Sequence, residues 1–337
     1  MADFSSGIEL CRRFYEQEIR PAISSQLAGL PHAAALLGRG SEVLGFDDEV
    51  SRDHDWKPRA VIFLEDHDEA RAGEVEDLLR GATAQRFEGY KTDLSVTTIR
   101  AHLQRELAID LDRQLSPTDW LTLSEQRLRS IAGGTIYHDE VGLTDALARI
   151  SYYPDGVWRY LMIAGWWRIH PEANLVGRTG QVGDELGSEL IAAELVDAMM
   201  RLCFLLEREY APYAKWFGTA FSRLNCAQVM LPILERVLAS SSTQDREAAL
   251  NDGYRELAAL HNGAGITEPV PTGVVRMWDR PFGVLWGDFP GALRQTIDDP
   301  EVLRIVELWP TGAVDRVREW IWPTRYRDRL IALVGPT

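Results

Sequence analysis

Two aspartates one residue apart, Asp53 and Asp55, are the most chemically suggestive residues in the sequence. If that stretch is extended, both side chains point to one face, with Cα atoms about 6.8 Å apart. Two carboxylates so placed can ligate one or two magnesium ions, which in turn can hold a polyphosphate. Without a cation they would repel each other. Upstream lie Gly38, Gly40 and Gly45. Glycines let the backbone turn tightly and approach a ligand closely. Gly40 and Ser41 together offer N–H groups and a hydroxyl, the parts of a phosphate cradle. A third acid, Asp93, opens the β-branched run DLSVTTI. Asp93, Ser95 and Thr97 share one face of that strand. Asp93 is thus placed to join the first two acids, as a metal ligand or as a proton acceptor.

Other residues are weaker candidates. Lys215 stands among Tyr210, Tyr213 and Trp216, where its stem can pack while its ammonium reaches a phosphate. Arg178, in VGRTGQVGDE, is a further phosphate or acceptor contact, and Arg280 in DRPFG a weaker one. Asp139 suits an acid near the site or a helix cap equally well. His54 would point away from its flanking aspartates and reads as structural. His67, flanked by acids in LEDHDEA, reads as part of a polar connection, and Asp47, Asp48 and Glu49 as a solvated loop. The aromatics Tyr152, Tyr153, Trp158, Tyr160, Trp166 and Trp167 read as core.

These residues need elements to hold them. Residues 8–29 carry apolar side chains at helical intervals, and Ala60–Leu64 reads as a buried strand. A helix over 69–80 and a strand over Asp93–Ile99 follow. Beyond residue 100 helical patterns dominate, over 117–131, 144–169, 186–210, 212–238 and 244–262, with a short β-like stretch at 133–142. ITEPVPTG reads as a connection, and Trp278, Trp286, Trp309, Trp320 and Trp322 as packing residues. The expected architecture is α+β: a small mixed sheet with helices over 1–140, then a mainly helical domain over 141–337 that adds nucleotide and acceptor contacts.

Bulk composition narrows the partners. The chain has 337 residues, enough for two domains and a substantial core. Its net charge of −15 disfavours nonspecific binding to a nucleic-acid backbone. The three cysteines, Cys11, Cys203 and Cys226, have no zinc spacing and read as reduced, buried thiols. The N-terminus lacks the pattern of a signal peptide, and no apolar run reaches the ~20 residues of a membrane helix. The expectation is a cytoplasmic protein with no membrane or nucleic-acid partner.

The order Gly40-Ser41, a glycine four residues after the serine, then Ser51 and Asp53-x-Asp55 resembles the signature of the nucleotidyltransferase superfamily. That superfamily includes the aminoglycoside adenylyltransferases and the polymerase-beta type. In the adenylyltransferases a third acid opens a β run some forty residues on, as Asp93 does here, and a lysine of the helical domain contacts the nucleotide, a role that would fall to Lys215. Over most of its length, through YYPDGVW, YAPYAKW and DRPFGV, the chain also resembles a family of uncharacterised bacterial proteins catalogued as a domain of unknown function. Two departures from the signature stand out. Arg52 separates Ser51 from Asp53, and Trp56 follows the second aspartate where a small aliphatic residue is usual. The resemblance implies magnesium-dependent transfer of a nucleotide, AMP from ATP, to a hydroxyl or amine of a small molecule, with Asp53, Asp55 and Asp93 on the metal and Gly40, Ser41, Lys215 and Arg178 on the nucleotide. A protein side chain as acceptor and nucleotide binding without turnover are the alternatives.

Overall fold

The computed structural model describes residues 5–51, 56–110, 112–280, 282–309 and 311–319. Asp53, His54 and Asp55 lie outside the described residues, as do Trp320 and Trp322. The chain divides into two compact units. The first comprises Met1–Asp119 and Glu125–Tyr152, the second Trp120–Ser124 and Tyr153–Thr337.

The first unit opens with helix α1 (Gly7–Phe14), a π-helical turn (Tyr15–Ile19) and helix α2 (Arg20–Gln26) in direct succession. The π turn has a local cause. Pro21 has no N–H to donate and its ring crowds the carbonyl four residues back, so the helix widens just before it. Leu10, Phe14, Tyr15, Ile19 and Ile23 form one buried face of this segment. They pack against a sheet of order β5-β2-β1-β6. Its strands are β1 (Ala33–Leu36), β2 (Arg59–Leu64), β5 (Asp93–Thr98) and β6 (Thr135–Asp139), with β3 (Arg86–Phe87) and β4 (Tyr90–Lys91) forming a separate two-stranded ribbon. β1 pairs antiparallel with β2 and β6, whereas β2 and β5 run parallel. The sheet is therefore mixed, as the α+β expectation required.

A parallel pair needs a crossover. A 3-10 turn (Asp66–Arg71) and helix α3 (Ala72–Ala82) supply it between β2 and β5. Glu76 of α3 accepts the Val96 N–H at 2.9 Å, covering part of the exposed edge of β5. Helices α4 (Ile99–Leu107), α5 (Pro117–Thr122) and α6 (Glu125–Ala132) precede β6, and α7 (Leu143–Ala148) follows it. Asp139 caps α7. Its carboxylate accepts N–H bonds from Val141, Gly142, Leu143 and Thr144. Burial works to raise its pKa, but these donors win and hold it near 2.

The second unit is built on helices α8 (Asp155–Ile169), α9 (Leu175–Gln181), α10 (Glu185–Leu206), α11 (Ala214–Phe221), α12 (Ala227–Ala239) and α13 (Thr243–Gly263). A hairpin of β7 (Val274–Arg276) and β8 (Gly283–Leu285) follows, then α14 (Phe289–Arg294), α15 (Pro300–Leu308) and a 3-10 turn (Val314–Glu319). Three helices expected as continuous are broken, the first of them the 117–131 pattern, which is interrupted between Thr122 and Glu125. The 144–169 pattern stops at Ala148 and restarts after Pro154, which restricts the residue before it to extended backbone. The 212–238 pattern is interrupted between Phe221 and Ala227. Tyr153, Trp158, Tyr160 and Trp166 are core as expected, but Trp167 is 45% exposed. Trp278 and Trp286 are not packing residues either: they lie in and beside the β7–β8 hairpin, 77% and 72% exposed. Among the described residues no helix is long and apolar enough to cross a membrane.

Candidate active site at the glycine turn

β1 consists of three alanines and a leucine, all buried. Small side chains let helix and neighbouring strands approach closely, and the chain leaves the strand abruptly at Gly38. Gly38, Gly40 and Gly45 have φ of 91°, 122° and 69°, conformations that favour glycine. Residues 41–45 then form one closed turn, with Phe46 N–H bonded to the Ser41 carbonyl at 2.9 Å and Gly45 N–H to the Glu42 carbonyl at 3.1 Å. Among the described residues, neither the Ser41 hydroxyl nor the Gly40 and Ser41 N–H groups have a hydrogen-bond partner.

The turn rests on a buried charge. Glu42 is fully buried and pairs with Arg59 at 2.7 Å. Arg59 also donates to the Arg39 carbonyl, so it ties the glycine turn to the start of β2. A side chain at Gly40 would collide with the Glu42 carboxylate. Cys11 of α1 fastens the same corner: its thiol donates to the Lys57 carbonyl at 3.4 Å and its sulfur accepts the Arg59 N–H at 3.3 Å. Burial pushes that thiol up to about 11, so it stays protonated and unreactive.

Asp93 faces Arg59 across the parallel pair, since the register couples these two residues directly. Its carboxylate lies 2.9 Å from Lys57 Nζ and 3.5 Å from Arg80. Burial acts to raise its pKa, but Lys57, the Leu94 N–H and Arg80 together hold it below the usual carboxylate range. A cleft of about 70 Å³ opens here between β1, β2 and β5, lined by Leu37, Arg59, Asp93 and Ser95 among others. It is far smaller than the 300–1,000 Å³ of ordinary ligand pockets.

The structure thus brings Gly40, Ser41 and Asp93 to one end of the sheet. The strand itself begins only at Arg59, and Trp56, Lys57 and Pro58 precede it without strand geometry. Ser51 and Trp56, which flank the Asp53–Asp55 segment in sequence, are both buried. Ser51 donates its N–H to Asp48 at 2.8 Å, and Trp56 Nε1 donates to Asp47 at 3.0 Å. Asp47 also accepts the Gly7 N–H at 2.6 Å, so the acidic loop is tied down rather than merely solvated. Lys215 and Arg178 belong to the second unit. Lys215 is exposed on α11, its ammonium 4.8 Å from the Trp216 ring. Arg178 is exposed on α9 and bonds Asn174 at 3.4 Å. Arg280 bonds Gln181 at 2.8 Å. The cations Lys57, Arg59 and Arg80 escaped the sequence reading. The one signal available was the KPR tripeptide at the mouth of an apolar strand.

Residues 120–217 match the model of a family described as a domain of unknown function (DUF4037). The expected resemblance to such a family is therefore present, over a segment that excludes the glycine turn and Asp93. No curated protein matches the chain. Among solved structures, the chain is similar to a nucleotidyltransferase-like protein from Exiguobacterium sibiricum 255-15, at 12% identity over 74% of this chain and 78% of that one. The TM-score is 0.34, and a superposition that loose decides neither fold nor activity.

Proposed function

We propose that the first unit carries the catalytic centre of a magnesium-dependent nucleotidyltransferase. One observation carries this reading: β1 and β5 deliver the unpaired N–H groups of Gly40 and Ser41 and the ionised Asp93 to the end of the sheet at which β2 begins, and Asp53 and Asp55 lie a few residues before β2 in sequence. Asp53 and Asp55 would hold magnesium on a triphosphate, and Gly40 and Ser41 its outer phosphates. An acceptor hydroxyl or amine attacks the α-phosphorus in line, the bond to the bridging oxygen breaks, pyrophosphate leaves, and the acceptor's proton passes to solvent. Positioning and charge neutralisation supply the rate.

The electrostatics favour one of the two roles open to Asp93. A general base works best with a pKa near the operating pH. Asp93 is shifted the other way, so it suits a metal ligand, and Lys57 stands in for the cation until metal arrives. Lys215 and Arg178, on the second unit, are proposed nucleotide contacts. The proposed transferred group is AMP from ATP, and the proposed acceptor a small hydroxyl- or amine-bearing molecule. A cationic acceptor would be drawn by the −15 charge of the chain.

The test is incubation of the protein with ATP, magnesium and a panel of small acceptors, read by mass spectrometry for a nucleotide-bearing product and for pyrophosphate. Asp53→Ala and Asp55→Ala should each abolish product while leaving the circular dichroism spectrum intact. Full activity in either variant would falsify the assignment. Magnesium-dependent ATP binding without pyrophosphate would leave a nucleotide-binding protein in place of an enzyme.

A further inference from the structure

At the opposite end of the same sheet stands a second group of donors. His32 precedes β1, His138 lies in β6, and Glu140 follows β6. Their placement follows from strand geometry. Successive side chains alternate, so His138 and Glu140 share one face. The antiparallel pairing of β1 and β6 couples Ala34 with His138 and Ala33 with Asp139. It continues into a 3.0 Å bond from the Glu140 N–H to the His32 carbonyl. His32 is therefore directly opposite Glu140 and diagonal to His138, close enough for side chains to meet.

We propose that His32, His138 and Glu140 form a binding site for a divalent transition-metal ion of the zinc class, separate from the magnesium acids. One donor atom from each residue lies within 4.8 Å of the other two. Glu140 Oε2 is 3.1 Å from His138 Nε2 and 3.8 Å from His32 Nδ1. Around zinc, with bonds of 2.0–2.2 Å, neighbouring tetrahedral ligands stand about 3.3 Å apart. The two distances from Glu140 already bracket that spacing. A second observation points the same way. His138 Nε2 is buried, and the Glu140 carboxylate stands 3.1 Å from it at the solvent side of the group. Two donor atoms that close, one of them buried, match the spacing of adjacent ligands of one ion.

The surroundings suit a metal. Two imidazoles and one carboxylate are the mixed N/O donor set that zinc-class ions take. Burial lowers the pKa of His32, which keeps its ring neutral and able to ligate. Tyr15 Oη lies 3.0 Å from His32 Nε2, and the Leu30 carbonyl 3.2 Å from Nδ1. When Nδ1–H is given to Leu30, the Tyr15 hydroxyl donates to Nε2. When the ion takes Nδ1, the proton sits on Nε2 and the Tyr15 oxygen accepts it. Both ring nitrogens keep a partner in either state; ion entry takes the donor from the Leu30 carbonyl alone, and Tyr15 becomes the outer partner that aims the ligand. The Glu140 side chain is 53% exposed, which leaves a solvent side for a fourth ligand. The other acid-histidine group, Glu65, His67 and Asp68, is a poorer site: His67 is 73% exposed and Asp68 is engaged by Arg71 at 2.7 Å.

The probe is Co2+, whose d–d absorption reports tetrahedral N/O ligation, followed by displacement with Zn2+. The full chain carrying Asp53→Ala and Asp55→Ala is used, so that the proposed magnesium acids do not contribute. One equivalent of Co2+ should bind with visible bands that Zn2+ removes. In that background His138→Ala and the exposed Glu140→Gln should each weaken binding at least ~10-fold, and Tyr15→Phe should weaken it ~10-fold or more as loss of an outer partner does. His67→Ala should change nothing. The proposal is overturned if no saturable binding occurs, if His138→Ala and Glu140→Gln bind as tightly as the background, or if His67→Ala is the variant that abolishes it.

Discussion

The two ends of the sheet in the first unit are built from different chemistry. At the end where β2 and β5 begin, the backbone makes positive-φ turns at Gly38, Gly40 and Gly45, and acids are balanced by cations: Glu42 by Arg59, Asp93 by Lys57 and Arg80. At the end where those strands finish, imidazoles gather: His32 and His138 with ring centroids 4.4 Å apart, and His102 against Phe63 at 5.3 Å. The difference lies in the donors each end offers, and a different metal class is proposed for each. Hard carboxylate and phosphate oxygens suit magnesium, whereas imidazole suits zinc-class ions. The division also separates the proposed transfer chemistry from the histidine site by the length of a strand.

The largest expected effect tests that separation directly. Asp93→Asn should lower nucleotide transfer by roughly 100-fold or more, since a metal ligand supplies several kcal/mol of charge stabilisation. His138→Ala should leave transfer within about twofold. Steady-state rates at saturating magnesium and ATP measure both. An equal loss in the two variants would mean that the ends act as one site.

The second effect uses pH to loosen one end before the other. Burial, with the nearby Arg105 charge, lowers the pKa of His102 to about 4. The folded value lies below the unfolded value of about 6.5, so the unfolded chain binds the proton more readily. Stability from neutral His102 is complete above about pH 6.5 and is lost as pH falls towards 4, by about 3 kcal/mol in all. Asp93 is also lowered, but from a carboxylate value, so its contribution is lost only below about pH 4. Urea denaturation from pH 7 to 4.5 should therefore show a steeper loss in the wild type than in His102→Gln. Parallel curves would show that His102 is not the titrating group.

How far these ends were legible in the sequence differs in an instructive way. Gly40, Ser41 and Asp93 were readable because glycine turns and β-branched strands leave local patterns. β1 was not. Ala33, Ala34 and Ala35 have little strand propensity, and they form a strand because tertiary packing selects small buried side chains there. Missing β1 hid the register that sets His32 opposite Glu140, more than a hundred residues away. The ion pairs of Lys57 and Arg80 with Asp93 were hidden for the same reason, since they depend on the parallel pairing of β2 with β5. The exposure of Trp278 and Trp286 was unreadable because nothing local distinguishes a surface tryptophan from a core one.

A third effect compares a glycine from each end. Gly40 has φ 122° and its added Cβ would meet the Glu42 carboxylate, whereas Gly29 has φ 81° and nothing within 4 Å of an added Cβ. Gly29→Ala should cost only backbone strain, about 1 kcal/mol, and Gly40→Ala distinctly more, up to about 3 kcal/mol. Thermal or urea denaturation of the two variants gives the difference. Equal losses would remove the packing of Glu42 under the turn as a constraint.

The smallest effect concerns Lys57. Its pair with Asp93 is about 40% exposed on the acid side, so solvent screens it and Lys57→Gln should cost less than about 1 kcal/mol of stability. Its influence should appear elsewhere. Without the ammonium, the Asp93 pKa should move up towards the ordinary carboxylate value, while Arg80 and the Leu94 N–H keep it from rising further. Carboxyl NMR titration of wild type and Lys57→Gln measures the shift. If Lys57 holds the place of a cation, the variant should also need more magnesium for half-maximal nucleotide binding when its acid is protonated near pH 4, and no more than the wild type at pH 7. At pH 7 the freed carboxylate should even take magnesium more readily, because no internal cation competes for it. A weaker magnesium response at pH 7 would assign Lys57 to the nucleotide instead, as a phosphate contact that the small cleft beside Asp93 conceals.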